Sequence, residues 1–157
     1  MTIYLKCDKA KGSSTTKGFE EQIELNSLQF GAGVGIGSPR GGDRTTSEPS
    51  VSEINISKKV DKASEDLLKA LLKGESLGKV EISFTAASNG EAVAYLVLKI
   101  EEVLVSGLSV SSSGDFPNES VSLNFAKLEW AFTGRGEDQK GQPTRLTYDL
   151  AKNVVGA

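Results

Sequence analysis

This chain is short of the side chains that usually carry out reactions. It has no histidine, which removes the commonest general base and every catalytic triad or metal centre built on imidazole. Its single cysteine, Cys7, cannot build a cysteine-rich metal site. As a nucleophile it would lack the usual activating partner, so it reads as a small apolar residue on the inward face of a strand. Acids are paired at Glu20-Glu21, Glu65-Asp66 and Glu101-Glu102. Adjacent residues on a strand point to opposite faces, so the first and third pairs are poor candidates for sharing a catalytic proton. The second is accounted for by a helix start. Calcium loops of the D-x-[DN]-x-[DN]-G type are absent. Trp130 and Tyr95 are the candidates for a stacking platform, but aromatics are 6% of the chain and no basic cluster accompanies them, so core packing explains them better.

The glycine-rich stretch 31–49 is the remaining candidate for chemistry. No register of Gly31, Gly33, Gly35 and Gly37 supplies the G-x-G-x-x-G dinucleotide pattern. Gly37 and Gly42 have the spacing of a phosphate-binding loop, but Asp43 stands where the lysine belongs, and a carboxylate repels phosphate. The residues therefore point to no catalytic group, no cofactor and no metal. With six glycines and two prolines in so short a space, the stretch should hold no regular element. Such a loop is usually functional or disordered. Its composition suits an arm that docks on another copy of the chain and a floppy insertion equally well. In the first case Val34 and Ile36 would anchor it, and Arg40, Asp43 and Arg44 would pair with charges across the interface.

Around this loop the apolar pattern is that of strands. Ile3, Leu5 and Cys7 alternate with polar residues, and residues 19–30 resume the alternation with an irregularity near Asn26. Ile54 and Ile56, then Val80, Ile82 and Phe84, keep strand phase. Ser88-Asn89-Gly90 predicts a tight hairpin. Residues 92–105 read as a long strand whose apolar parity switches past Glu101-Glu102, the mark of a β-bulge. A second switch falls near Ala126-Lys127. Val93, Tyr95 and Val97 make one strand apolar on both faces, which requires a second cover, inside the domain or from a neighbour. Residues 145–150 predict a last strand, and 153–157 a fraying tail.

One helix interrupts the strands, over residues 64–72. Ser64 is placed to cap it, Glu65 and Asp66 suit its first turn, and Gly74 ends it. Leu67, Leu68, Leu71 and Leu72 should form its apolar stripe, with Leu68 buried. The expected fold is all-β, a β-barrel or two packed antiparallel sheets, with one short helix and one long extended loop.

At 157 residues the chain predicts one domain, residues 1–157, large enough to fold without staples. The net charge of -3, from 18 basic and 21 acidic residues with no long basic run, argues against generic binding to nucleic acid or anionic membranes. No apolar run is long enough to span a bilayer as a helix. The first residues lack a basic segment followed by an apolar one, so synthesis and folding in the cytoplasm are expected, with any export independent of a cleavable signal.

Six segments occur in a recognisable order: Ile3-Tyr4-Leu5-Lys6 with Gly12-Ser13-Ser14, residues 53–58, Asp61-Lys62-Ala63-Ser64 with the leucine-rich helix to Gly74, Val103-Leu104-Val105-Ser106, residues 119–128 and Tyr148-Asp149-Leu150. Together they resemble the Hcp family, the tube proteins of bacterial type VI secretion. The glycine-rich loop departs from the family pattern. The resemblance implies a hexameric ring with a wide channel, stacked into an inner tube that carries effectors. It further implies partnership with a sheath, a spike (VgrG-like) and effector proteins, and release from the bacterial cytoplasm by the secretion system itself. Val34, Ile36, Arg40, Asp43 and Arg44 would then lie at subunit interfaces. A phage tail-tube protein shares this architecture. A monomeric ligand-binding β-barrel and a carboxylate enzyme such as a glycosidase are the rivals from other classes.

Overall fold

A computed structural model describes residues 1–40, 42, 44–134 and 143–156. Its elements are β1 (Thr2–Cys7), β2 (Ile23–Leu25), β3 (Ser27–Gln29), β4 (Ala32–Gly33), β5 (Ser50–Val51), β6 (Ile54–Lys59), α1 (Ala63–Lys73), β7 (Gly78–Ser88), β8 (Glu91–Ser111), β9 (Asn118–Asn124), β10 (Lys127–Phe132), β11 (Thr144–Asp149) and β12 (Val154–Gly156). All named pairings are antiparallel. One layer runs β12-β11-β10-β8-β7-β1-β2; the other runs β3-β6-β9 and returns to β8. The fold is the expected pair of packed antiparallel sheets with one helix.

Both sheets share chain at places the apolar pattern marks. Strand β8 is 21 residues long and belongs to both layers. At Glu102 its backbone turns to φ 54, and the pairing with β7 slips from Val80↔Ile100 to Gly78↔Val103. The slip is the bulge that the parity switch implies. It keeps Leu98 and Ile100 on one side of the bend, and Val103 and Val105 on the other, pointing into one core. Facing β8, the chain passes from β9 to β10 through Phe125 and Ala126, and the Ala126 N–H donates to the Glu101 carbonyl at 3.0 Å. At the other corner Asn26 separates β2 from β3, and its N–H donates to Ser57 O at 2.7 Å. Ile23, Ile54, Ile82, Ile100 and Val121 lie between the layers with no exposed surface.

The hairpin joining β7 to β8 turns at Asn89 (φ 50) and Gly90 (φ 80), both left-handed. Asn-Gly is the pair that accepts such a turn and matches strand twist. Gly90→Ala is expected to lower stability by about 1–2 kcal/mol, since a Cβ there meets no neighbour and only the backbone conformation is penalised. A thermal melt of the variant checks this.

Three expectations are corrected. The tail does not fray throughout: 154–156 form β12 against β11. A turn folds it back, with Asn153 at φ 52 and its Oδ1 accepting from the Tyr148 hydroxyl at 2.7 Å. Ser64 does not cap the helix. The helix begins at Ala63, the N-cap position is Lys62 in helical geometry with no side-chain cap, and Asp61 Oδ1 accepts from the Ala63 N–H at 3.0 Å. The buried stripe is Ala63, Leu67 and Ala70, packed toward β8, whereas Leu68 and Leu72 are 42% and 74% exposed. Two alanines flanking one leucine let the helix lie close to the sheet, which turns Leu68 and Leu72 outward, while Leu71 stays partly buried against the core. Gly74 ends the helix as expected, left-handed at φ 66, with the Glu75 N–H reaching back to Ala70 O.

Candidate interaction surfaces

Cys7 lies buried on β1, and burial pushes its thiol above the ordinary range. A thiol so held is a poor nucleophile, consistent with its reading as core. Trp130 is half-buried beside Phe30, with ring centroids 6.2 Å apart, so it packs and presents no open platform. Among the described residues no three cysteine or carboxylate side chains converge as a metal site. No described helix is long and apolar enough to cross a membrane.

The glycine-rich stretch holds more structure than its composition suggests. It folds back on itself as a two-stranded ribbon, with Ala32 opposite Val51, Gly33 opposite Ser50, and an isolated bridge between Ile36 and Thr46. Serine hydroxyls supply bonds that regular pairing leaves unmade. Ser52 Oγ accepts from the Gly31 N–H and Ser47 Oγ from the Gly35 N–H, both at 2.8 Å. A Cβ at Gly35 would stand 2.7 Å from Ser47 Oγ, so a larger residue there displaces the hydroxyl from this bond. Val34 and Ile36 are 45% and 61% exposed, two residues apart on the outgoing side of the ribbon. Arg40 and Arg44 are exposed beyond the Ile36–Thr46 bridge. The ribbon thus gathers four of the five candidate interface residues on one exposed element. The fifth, Asp43, lies outside the described residues.

The sequence reading missed a buried ion cluster at the root of α1. Lys58 on β6 has no exposed surface, and its Nζ donates to Glu119 Oε2 on β9 at 2.7 Å and to Ser64 Oγ at 3.0 Å. The Lys59 carbonyl and Asp61 Oδ1 lie 2.9 Å from the same nitrogen. Ser64 in turn donates to Glu119 and accepts from the Asp61 N–H, each at 2.9 Å. The cluster therefore ties two strands of one sheet to the first turn of the helix. Strand parity carried the signal. Lys58 follows Ile54 and Ile56 on the inward face, Glu119 precedes Val121 and Leu123 on theirs, and the two are direct cross-strand partners.

On the other layer the outward face is a charge lattice. Across four strands Lys6 faces Glu81, Glu81 faces Lys99, and Lys99 faces Glu129. Below them Val154, Asp149, Lys127 and Glu101 stand in register on β12, β11, β10 and β8. These residues line a concavity of about 800 Å3. The second layer's outward face is nearly uncharged: Ser27, Ser57, Ser120 and Ser109 form one registered row, and Asn55 with Ser122 stands in the next.

The fold and these surfaces define a two-layered antiparallel β protein with a helix packed at one side. A family model described as "Type VI secretion system effector, Hcp" matches residues 4–132, and the chain belongs to the Hcp family. It is 26% identical to protein hcp1 of Pseudomonas aeruginosa over 156 residues, 97% of this chain and 96% of the relative. A solved type six secretion system protein shares the fold at a TM-score of 0.91, with 24% identity and 99% of both chains covered. Hcp1 of Salmonella typhimurium does so at a TM-score of 0.83, with 22% identity over 99% of this chain and 98% of that one.

Proposed function

We propose that this chain is a tube-building block of a type VI secretion system. Protomers close into hexameric rings, and the rings stack into the inner tube that a sheath drives and a spike caps. Effectors ride in the channel. The protein works by shape and self-association, leaves the bacterial cytoplasm through the system itself, and performs no reaction. The observation that carries this reading is membership of the Hcp family across residues 4–132. It is supported by a protomer that leaves apolar side chains on its ribbon and sheet edge uncovered: Val34, Ile36, Val154 and Val155. Head-to-tail contacts between unlike patches close into rings when the rotation permits.

The ribbon from Gly31 to Ser52 is the contact to a neighbouring protomer or ring, with Val34, Ile36, Arg40, Asp43 and Arg44 at the interface. Native mass spectrometry and negative-stain imaging of the purified chain test the whole reading: rings are expected, and a chain that stays monomeric at high concentration overturns it. Deleting residues 33–46 is expected to leave a folded protomer, because among the described residues β4 and β5 form a two-stranded sheet of their own, while ring or tube assembly weakens. Unchanged assembly in the deletion variant removes the ribbon from the interface.

A further inference from the structure

The exposed side of α1 carries a pattern that its own sheet cannot use. Lys62, Glu65, Lys69 and Leu72 are all exposed. At 100° per residue they fall in one stripe roughly 80° wide. The buried residues Ala63, Leu67 and Ala70 occupy the opposite side of the helix, so the stripe faces away from the protomer. Read from the N-terminus it runs base, acid, base, apolar. The axial steps between these residues are about 4.5, 6.0 and 4.5 Å.

The charge lattice holds the complementary series. Glu101, Lys127, Asp149 and Val154 are cross-strand neighbours on β8, β10, β11 and β12. They run acid, base, acid, apolar at strand spacings of about 4.8 Å. The helix stripe spans about 15 Å and this row about 14 Å. Val154 is 56% exposed. The charges of the row are held in place only by weak surface interactions. Glu101 is shared between Lys79 at 3.7 Å and Lys127 at 3.8 Å, and Asp149 accepts from the Lys152 N–H at 3.1 Å. Pairs of that kind contribute little and redistribute readily.

We propose that α1 of one copy lies across β8, β10, β11 and β12 of the next. Lys62 meets Glu101, Glu65 meets Lys127, Lys69 meets Asp149, and Leu72 covers Val154. The occupant is a second copy of this chain because the two complementary series reside on the same polypeptide and cannot meet within one protomer. The contact joins unlike surfaces, as a closing ring requires. It rests on the ring reading above and adds which faces touch. A series of alternating charges also fixes register, since a shift by one strand sets like charges opposite each other.

Charge exchange tests it. Glu65→Lys and Lys127→Glu are expected each to weaken self-association of the purified chain about tenfold or more, read by analytical ultracentrifugation at low salt, with circular dichroism verifying the fold. The double variant E65K/K127E is expected to recover most of the loss. Lys69→Glu with Asp149→Lys gives a second, independent cycle should either first variant fold poorly. Single variants that associate like the parent, or double variants no better than the worse single, overturn this contact while leaving ring assembly standing. A parent chain that stays monomeric overturns both.

Discussion

Lys58→Ala is expected to cost about 3–5 kcal/mol of folding stability. The substitution leaves Glu119, 4% exposed, with its charge in the interior and no cation to oppose it. Asp61 loses its ion pair as well, though it keeps the Ala63 N–H. In a chain of this length each kcal/mol moves the midpoint of melting by roughly 2–4 °C, so the shift is large in a thermal scan or a urea titration. The double variant Lys58→Met, Glu119→Leu separates two meanings of the result. Replacing both charges with apolar groups of similar bulk is expected to restore most of the lost stability, because the cost of a broken buried pair lies chiefly in the charge left behind. If Lys58→Ala melts within about 1 kcal/mol of the parent, the ammonium is not enclosed as described. If the double variant is as unstable as the single, the pair contributes more than its own desolvation.

The cluster also shows why part of this fold was legible and part was not. Period-two alternation placed Ile54 and Ile56 inward, together with Val121 and Leu123, and these are core residues. The same alternation put Lys58 and Glu119 on the inward face. Charge alone argues for exposure, however, and only the register of β6 on β9 reveals that each residue satisfies the other. That register is a long-range fact, since 61 residues separate the partners. The parity switches at Glu101-Glu102 and Ala126 were legible for the opposite reason. A bend in a strand is written locally, as apolar residues that change phase over two or three positions. The order within the glycine-rich ribbon escaped because short backbone pairings there are completed by serine hydroxyls at Ser47 and Ser52. Composition counts those residues as loop formers without showing whom they pair with.

The chain separates interior from available surface along α1. Three of its residues are buried, and the outward face keeps two leucines among charges. Leucine content identified the element, but all four leucines fit a single stripe as drawn from spacing. The packing of Ala63, Leu67 and Ala70 and the tie at the first turn set the same phase. Ser64 is held to Lys58 and Glu119, a rotation of the helix about its axis that also brings Leu67 under it.

Leu67→Ala is therefore expected to cost about 2–5 kcal/mol, whereas Leu68→Ala is expected to fall within about 0.5 kcal/mol of the parent. Leu67 is 1% exposed, and its side chain sits in the core cluster that includes Val103 and Leu77. Truncation removes packed methyl groups and leaves a void that close-packed neighbours on β8 cannot collapse to fill. Leu68 has 42% of its surface in water, so alanine there removes little packing and slightly favours helix. Urea denaturation of both variants at equal protein concentration reads the contrast. Equal losses at the two positions would mean that the helix is rotated by about one residue, 100°, from the phase the Ser64 tie imposes. The result bears on assembly too. If Leu68→Ala is neutral in the monomer but weakens association, the outward leucine lies in a contact between copies, beside the Lys62-Glu65-Lys69-Leu72 stripe. A loss confined to Leu67 places all of the helix's contribution to folding on its inner face and leaves the outer one free to bind.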